Sequence, residues 1–160
     1  MTEPIEGQLD ASGKRFAIVA ARWNSLFADQ LLEGALACLR LHGAEDADLR
    51  VVRCPGSFEL PQVAAQVGDT LDVDAIICLG VLIRGETPHF DHICSQTTSG
   101  ISAVAVDQKT PVAFGVLTCD TMKQAMARSG SKAGNKGEEA ALAAIEMVTL
   151  YDALDEAHDA

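Results

Sequence analysis

The stretch from Asp74 to Ile83, DAIICLGVLI, is apolar at nearly every position. A half-buried strand alternates apolar and polar residues, so a run without alternation must be covered on both faces. That is the condition of a central strand in a parallel sheet. Parallel neighbours cannot be joined by hairpins; each needs a crossover, usually helical. A chain built on this segment therefore has to alternate strands with helices.

The rest of the sequence obeys that demand. Arg15 to Ala20 (RFAIVA) reads as a short buried strand, followed by Asn24 as a helix N-cap and by Phe27, Leu31, Ala35, Cys38 and Leu39 at helical spacing until Gly43. Leu49 to Arg53 is a second strand, Cys54-Pro55-Gly56 a turn, and Phe58 to Gly68 a helix. After the central strand come a helix from Pro88 to Val106, a strand from Val112 to Thr118 and a short helix from Met122 to Arg128. Gly130 to Gly137 (GSKAGNKG) reads as a flexible connector, and Glu138 to Leu154 as a last, alanine-rich helix. The order βαβαβαβαα predicts an α/β fold: a flavodoxin-like three-layer sandwich, with a four-stranded parallel sheet flanked by helices on both faces. Residues 1–13 read as a flexible N-terminal arm and residues 14–160 as a single domain.

In such sheets ligands sit outside the carboxyl ends of the strands. The loops to inspect are Ala21 to Asn24, Cys54 to Glu59, Ile83 to His89 and Thr118 to Thr121. The net charge of −11 argues against nucleic acid or an anionic membrane surface as partner, since both require a basic face. A small anion needs only a local basic pocket, for which Arg84, Arg128, Lys132 and Lys136 are available. The five cysteines form no CxxC pair and no even framework, and read as free thiols in a reducing cytoplasm. No apolar run approaches the roughly 18 residues of a membrane span.

Chemistry concentrates in Gly80 to Ile93, GVLIRGETPHFDHI. Gly85 permits a tight turn, Pro88 pushes Thr87 toward the extended region and starts a helix. Backbone N–H groups of Glu86 and Thr87 could receive a phosphate there, or the segment is a capped helix with nothing bound. His89, in the first helical turn, has the right side chain for a general acid or base, although many surface histidines are inert. His89, His92 and Cys94 do not complete a tetrahedron, so no metal is expected. His92 reads as a packed or interface residue, and Asp91 as a solvated residue able to pair with it. The GSKAGNKG stretch fails the P-loop spacing, and Cys54 to Glu59 is no nucleophile elbow. Trp23 and Phe114 either wall a pocket for a flat heterocycle or pack in the core.

Five segments then share one resemblance: Ala21-Arg-Trp-Asn24, Pro55-Gly-Ser-Phe-Glu-Leu-Pro61, Gly80-Val-Leu-Ile-Arg-Gly-Glu-Thr-Pro-His89, Pro111-Val-Ala-Phe-Gly-Val-Leu-Thr118 and Lys132-Ala-Gly-Asn-Lys-Gly137. In order and spacing the chain resembles the lumazine synthase family of riboflavin biosynthesis, from about Arg15 to Val148. The resemblance implies a transferase without metal or cofactor. It would condense 5-amino-6-(D-ribitylamino)uracil with 3,4-dihydroxy-2-butanone 4-phosphate to give 6,7-dimethyl-8-ribityllumazine, phosphate and water. Carried over motif by motif, Trp23 would stack on the pyrimidine; Ser57, Phe58 and Glu59 would hold the ribityl amine. Val81, Leu82 and Ile83 would meet the pyrimidine edge. Glu86, Thr87 and Arg128 would bind phosphate, and His89 would be the proton donor. Phe114 would reach the pyrimidine from an adjacent subunit, bringing Arg128 with it, with Asn24, Gly85 and Lys136 in support. The implied partners are copies of the same chain, as pentamers, with the compact connector resembling members that build a sixty-chain icosahedral shell. Riboflavin synthase is a further implied associate. Three rivals are weaker. A passive flavin-type binder needs no proton donor, an inactive shell protein would not fill every expected site position, and a divergent riboflavin synthase of the common form should show an internal duplication absent here.

Overall fold

A computed structural model describes residues 2–131 and 134–160. Four parallel strands form the main sheet: β1 (Phe16–Ala21), β2 (Leu49–Cys54), β3 (Ala75–Ile83) and β4 (Val112–Cys119). Their spatial order is β2-β1-β3-β4. The helices α1 (Ser25–Leu41), α2 (Leu60–Thr70), α3 (His89–Asp107), α4 (Met122–Arg128) and α5 (Lys136–Asp159) cover the sheet. This is the flavodoxin-like sandwich that the sequence implies.

The lack of alternation in β3 now has its explanation. Ile77 and Leu79 point into a core shared with Leu31, Leu39 and Ile145 of α1 and α5. Ile76 and Cys78 point the other way, into a second core with Leu60, Ala64 and Ile101 of α2 and α3. Each such side chain contributes roughly 1.5–3 kcal/mol by leaving water, and β3 does so on both faces. α1 and α5 approach closely because of Gly137, where a Cβ would collide with the Leu31 carbonyl.

Several local expectations change. α2 is preceded by a 3₁₀ turn at Ser57–Glu59, and α3 begins at His89 with Pro88 in the capping position. The connector contains an antiparallel pair, β5 (Ser129–Ser131) with β6 (Gly134–Asn135). Asn135 then caps α5: its Oδ1 accepts from the Gly137 and Glu138 N–H groups at 2.8 and 3.1 Å. Hence α5 starts at Lys136, earlier than the glycines suggested, and it runs on to Asp159. Lys132 lies outside the described residues. The N-terminal stretch lies against α5, where the Gln8 N–H donates to Thr149 Oγ1 at 2.7 Å, and Ala11 is fully buried.

Candidate active site

The carboxyl ends of β1, β2 and β3 are laced together by their loops. Arg22 and Trp23 N–H groups donate to the Cys54 and Pro55 carbonyls at 2.9 and 3.0 Å, prolonging the β1–β2 ladder past the strands. The Trp23 ring lies over Gly56, where any Cβ would strike it, and leaves 64% of its surface exposed. Such a ring is a platform rather than core packing. Asn24 corrects its expected role. It sits in the N-cap position with left-handed backbone (φ 59°), and its side chain caps nothing. From that conformation, which asparagine tolerates better than most residues, Nδ2 reaches the Val81 carbonyl at 2.8 Å. Asn24 thus ties the β1–α1 turn to the end of β3.

Ser57 is buried against β3 because residue 80 has no side chain; a Cβ there would lie 2.5 Å from Ser57 Oγ. That hydroxyl has no hydrogen-bond partner among the described residues. A buried unpaired hydroxyl costs roughly 1–3 kcal/mol, so its placement asks for an explanation. Glu59 is half-buried, and its Oε2 already accepts from the Gly56 N–H at 3.1 Å, leaving Oε1 for other donors. Phe58 is exposed, while Leu82 and Ile83 are half-buried at the mouth of the sheet.

Beyond Ile83 the chain turns through Gly85, Glu86 and Thr87 into α3, with Glu86, Thr87 and His89 all exposed. Their side chains make no hydrogen bond among the described residues, nor do the N–H groups of Gly85, Glu86 and Thr87. Arg84, expected as a candidate for an anion pocket, is instead committed: Nε donates to Asp120 at 2.8 Å and Nη1 to Asp91 at 3.1 Å. Asp91 therefore pairs with Arg84 and not with His92, which is exposed. The reason is reach: the Arg84 side chain crosses the start of α3, whereas Asp91 and His92 are sequence neighbours and diverge around the helix.

Phe114, Arg128 and Lys136 occupy a different place. They line a groove of about 300 Å³ with Thr118 along β4, one of the two edge strands. Phe114 is 45% exposed, which ends its core-packing reading. It pairs in register with Cys78, five residues before Ile83, hence roughly 16 Å back along the sheet. Arg128 Nη1 donates only to the Gln124 carbonyl, at 3.2 Å, and has no carboxylate partner among the described residues. Lys136 pairs with Glu139 at 3.0 Å. The structure thus gathers Trp23, Ser57, Phe58, Glu59, Val81 to Ile83 and Glu86 to His89 at the carboxyl end of the sheet, and sets Phe114, Arg128 and Lys136 in a groove beside β4.

Burial pushes the Cys54 thiol up to about 11 and that of Cys78 to about 12, so both are neutral near pH 7. They serve as small apolar residues. Among the described residues no three His, Cys, Asp or Glu side chains converge in a way that could hold a metal ion, and no helix is long and apolar enough to cross a membrane. Sequence reasoning missed Gly80, Asn135 and the pairing of Arg84; only the glycine left a signal, as a small residue interrupting an apolar strand.

The family model described as 6,7-dimethyl-8-ribityllumazine synthase matches residues 13–152. The protein of that name from Chlorobium phaeobacteroides is 55% identical over 147 residues, covering 92% of this chain and 95% of that one. Its namesake from Desulfotalea psychrophila is 53% identical, with 94% and 97% covered. The one from Aquifex aeolicus is 49% identical, with 93% and 97% covered.

Proposed function

This chain belongs to the 6,7-dimethyl-8-ribityllumazine synthase family, and from that membership we propose how its residues carry out the synthase reaction of riboflavin biosynthesis. The enzyme condenses 5-amino-6-(D-ribitylamino)uracil with 3,4-dihydroxy-2-butanone 4-phosphate. An amine adds to the ketone and loses water to form an imine, phosphate is eliminated, and the second amine closes the ring with loss of water.

One observation carries the assignment of roles: a stacking ring, an unpaired buried hydroxyl, a carboxylate and an unpaired N–H loop converge at the carboxyl end of the sheet. The open face of Trp23 takes the pyrimidine. Ser57 Oγ and the free oxygen of Glu59 bond the ribityl hydroxyls, which gives the buried hydroxyl its partner. The N–H groups of Glu86 and Thr87, with the Thr87 hydroxyl and the positive end of α3, bind phosphate. Arg128 adds a planar fork matched to phosphate oxygens. His89, in the first turn of the same helix, moves protons between the amine, the ketone oxygen and the leaving water.

Phe114, on the edge strand β4, and Arg128, at the end of α4, line one groove, and we assign them to the site of an adjacent copy. That makes the site a property of two chains and the functional unit a homo-oligomer, a pentamer in this reading. The short connector supports assembly of pentamers into an icosahedral shell, which could associate with riboflavin synthase; a cytoplasmic location agrees with the reduced thiols.

The test is a fluorescence assay for the lumazine above the uncatalysed background, with His89→Ala alongside. General acid–base catalysis contributes about 10² to 10⁴ in rate, and the variant still holds both substrates together. We expect kcat to fall by about 10² with product still forming. Wild-type activity in the variant would remove His89 from the mechanism.

A further inference from the structure

Arg84 joins β3 to the phosphate loop, and its guanidinium is fixed from several sides. Asp120 and Asp91 bind Nε and Nη1 at 2.8 and 3.1 Å, and the Phe90 ring lies 4.5 Å beneath. Its own N–H donates to the Cys119 carbonyl at 2.9 Å, holding the residue against the end of β4. Both carboxylates stand in sensitive places. Asp91 lies in the first turn of α3, beside the N–H groups assigned to phosphate. Asp120 begins the turn into α4, whose last residue is Arg128; its N–H donates to Gln124 Oε1 at 2.7 Å, and the Gln124 carbonyl accepts from Arg128. A carboxylate released at Asp91 would repel the phosphate of the chain's own site, and one released at Asp120 would compete for Arg128 with the phosphate that Arg128 meets in the adjacent copy, since carboxylate and phosphate suit the same planar fork.

We propose that Arg84 is a positioning residue for the phosphate-bearing substrate, one that gathers Asp91 and Asp120 onto its guanidinium and so keeps both carboxylates away from the bound anion. The proposal rests on the phosphate assignment above. Arg84 itself does not touch phosphate: two carboxylates and an aromatic face occupy it.

The experiment is steady-state kinetics on Arg84→Gln, Arg84→Lys and the triple variant Arg84→Gln/Asp91→Asn/Asp120→Asn, with inorganic phosphate as competing probe. In Arg84→Gln, KM for the butanone phosphate and the inhibition constant of phosphate rise together by about three- to tenfold, while KM for the aminouracil stays within about twofold. Arg84→Lys falls between that variant and wild type. The triple variant returns to within about twofold of wild type, because the charges that Arg84 balanced are gone. Unchanged constants in Arg84→Gln overturn the proposal. So does a triple variant as impaired as the single one, which would mean that the guanidinium meets the phosphate directly. If Arg84→Gln does not fold, Asp91→Asn/Asp120→Asn substitutes for it: a KM at or below wild type supports the proposal, and a raised KM overturns it. Wild-type protein that forms no lumazine sinks the functional reading instead. Calorimetry with inorganic phosphate then still decides about Arg84, weaker binding in Arg84→Gln supporting its role and equal binding ending it.

Discussion

A methyl group at position 80 would sit 2.5 Å from Ser57 Oγ and 3.0 Å from Leu60 Cδ1. The missing side chain in β3 is what lets the Ser57 hydroxyl enter the wall of the site. Gly80→Ala should therefore displace Ser57 and cost about 1–3 kcal/mol by overpacking, read as a lower denaturant midpoint. KM for the aminouracil should rise with it. Adding Ser57→Ala removes the atom in closest contact and should recover part of the stability but not the KM. A Gly80→Ala protein indistinguishable from wild type in both readouts would mean that Ser57 is not held by this contact. Two separate sequence motifs contain these residues, but nothing in either says that one makes room for the other, because they stand on different elements.

At the scale of elements, the start of α5 depends on one side chain. Asn135 caps the helix through Oδ1 and donates from Nδ2 to the Gln30 carbonyl at 3.0 Å, fastening the β5–β6 pair and α5 to α1. Asn135→Ala should lose the cap and that tie together, about 1–3 kcal/mol. Hydrogen exchange should show faster protons in the first turn of α5, with β3 unaffected. Equal exchange in both proteins would show that the turn is held by packing alone. Lys136 follows directly and lines the β4 groove, so the variant should also weaken activity, more than its exposed position suggests. The strands and most helices were legible in the sequence because their periods are local. The true start of α5 was not, because Asn135 lies among glycines that read as loop, and the Gln30 carbonyl that holds its side chain in place is 105 residues away.

For the whole molecule the decisive arrangement is Phe114 standing five residues back from the end of β3, in one groove with Arg128. If adjacent copies share each site, His89→Ala chains and Arg128→Ala chains are defective in different halves. Co-expressed at equal levels, they should regenerate wild-type activity at about one quarter of the interfaces of a ring. Either variant alone should stay impaired. No recovery in the mixture, with mixed oligomers verified by mass spectrometry, would place the complete site inside one chain. Light scattering on the wild-type protein reads the assembly: a strongly acidic chain should associate more readily as salt screens its charge, and pentamers alone at every salt concentration would end the shell proposal.

The apolar run at β3, the alternation of strands and helices and the order of the motifs determined the layers of this protein, its family and the chemistry of its candidate residues. Each of these is written in short-range pattern, which backbone period and side-chain type enforce without knowledge of distant partners. Tertiary structure alone decided the rest. It made β4 an edge strand and left Phe114 and Arg128 lining a groove beside it. It turned Asn24 from a cap into a tether and drew Arg84 to Asp91 and Asp120 instead of to an anion. Those outcomes depend on which groups the folded chain brings within bonding distance, and a charged or amide side chain takes the nearest partner that satisfies it.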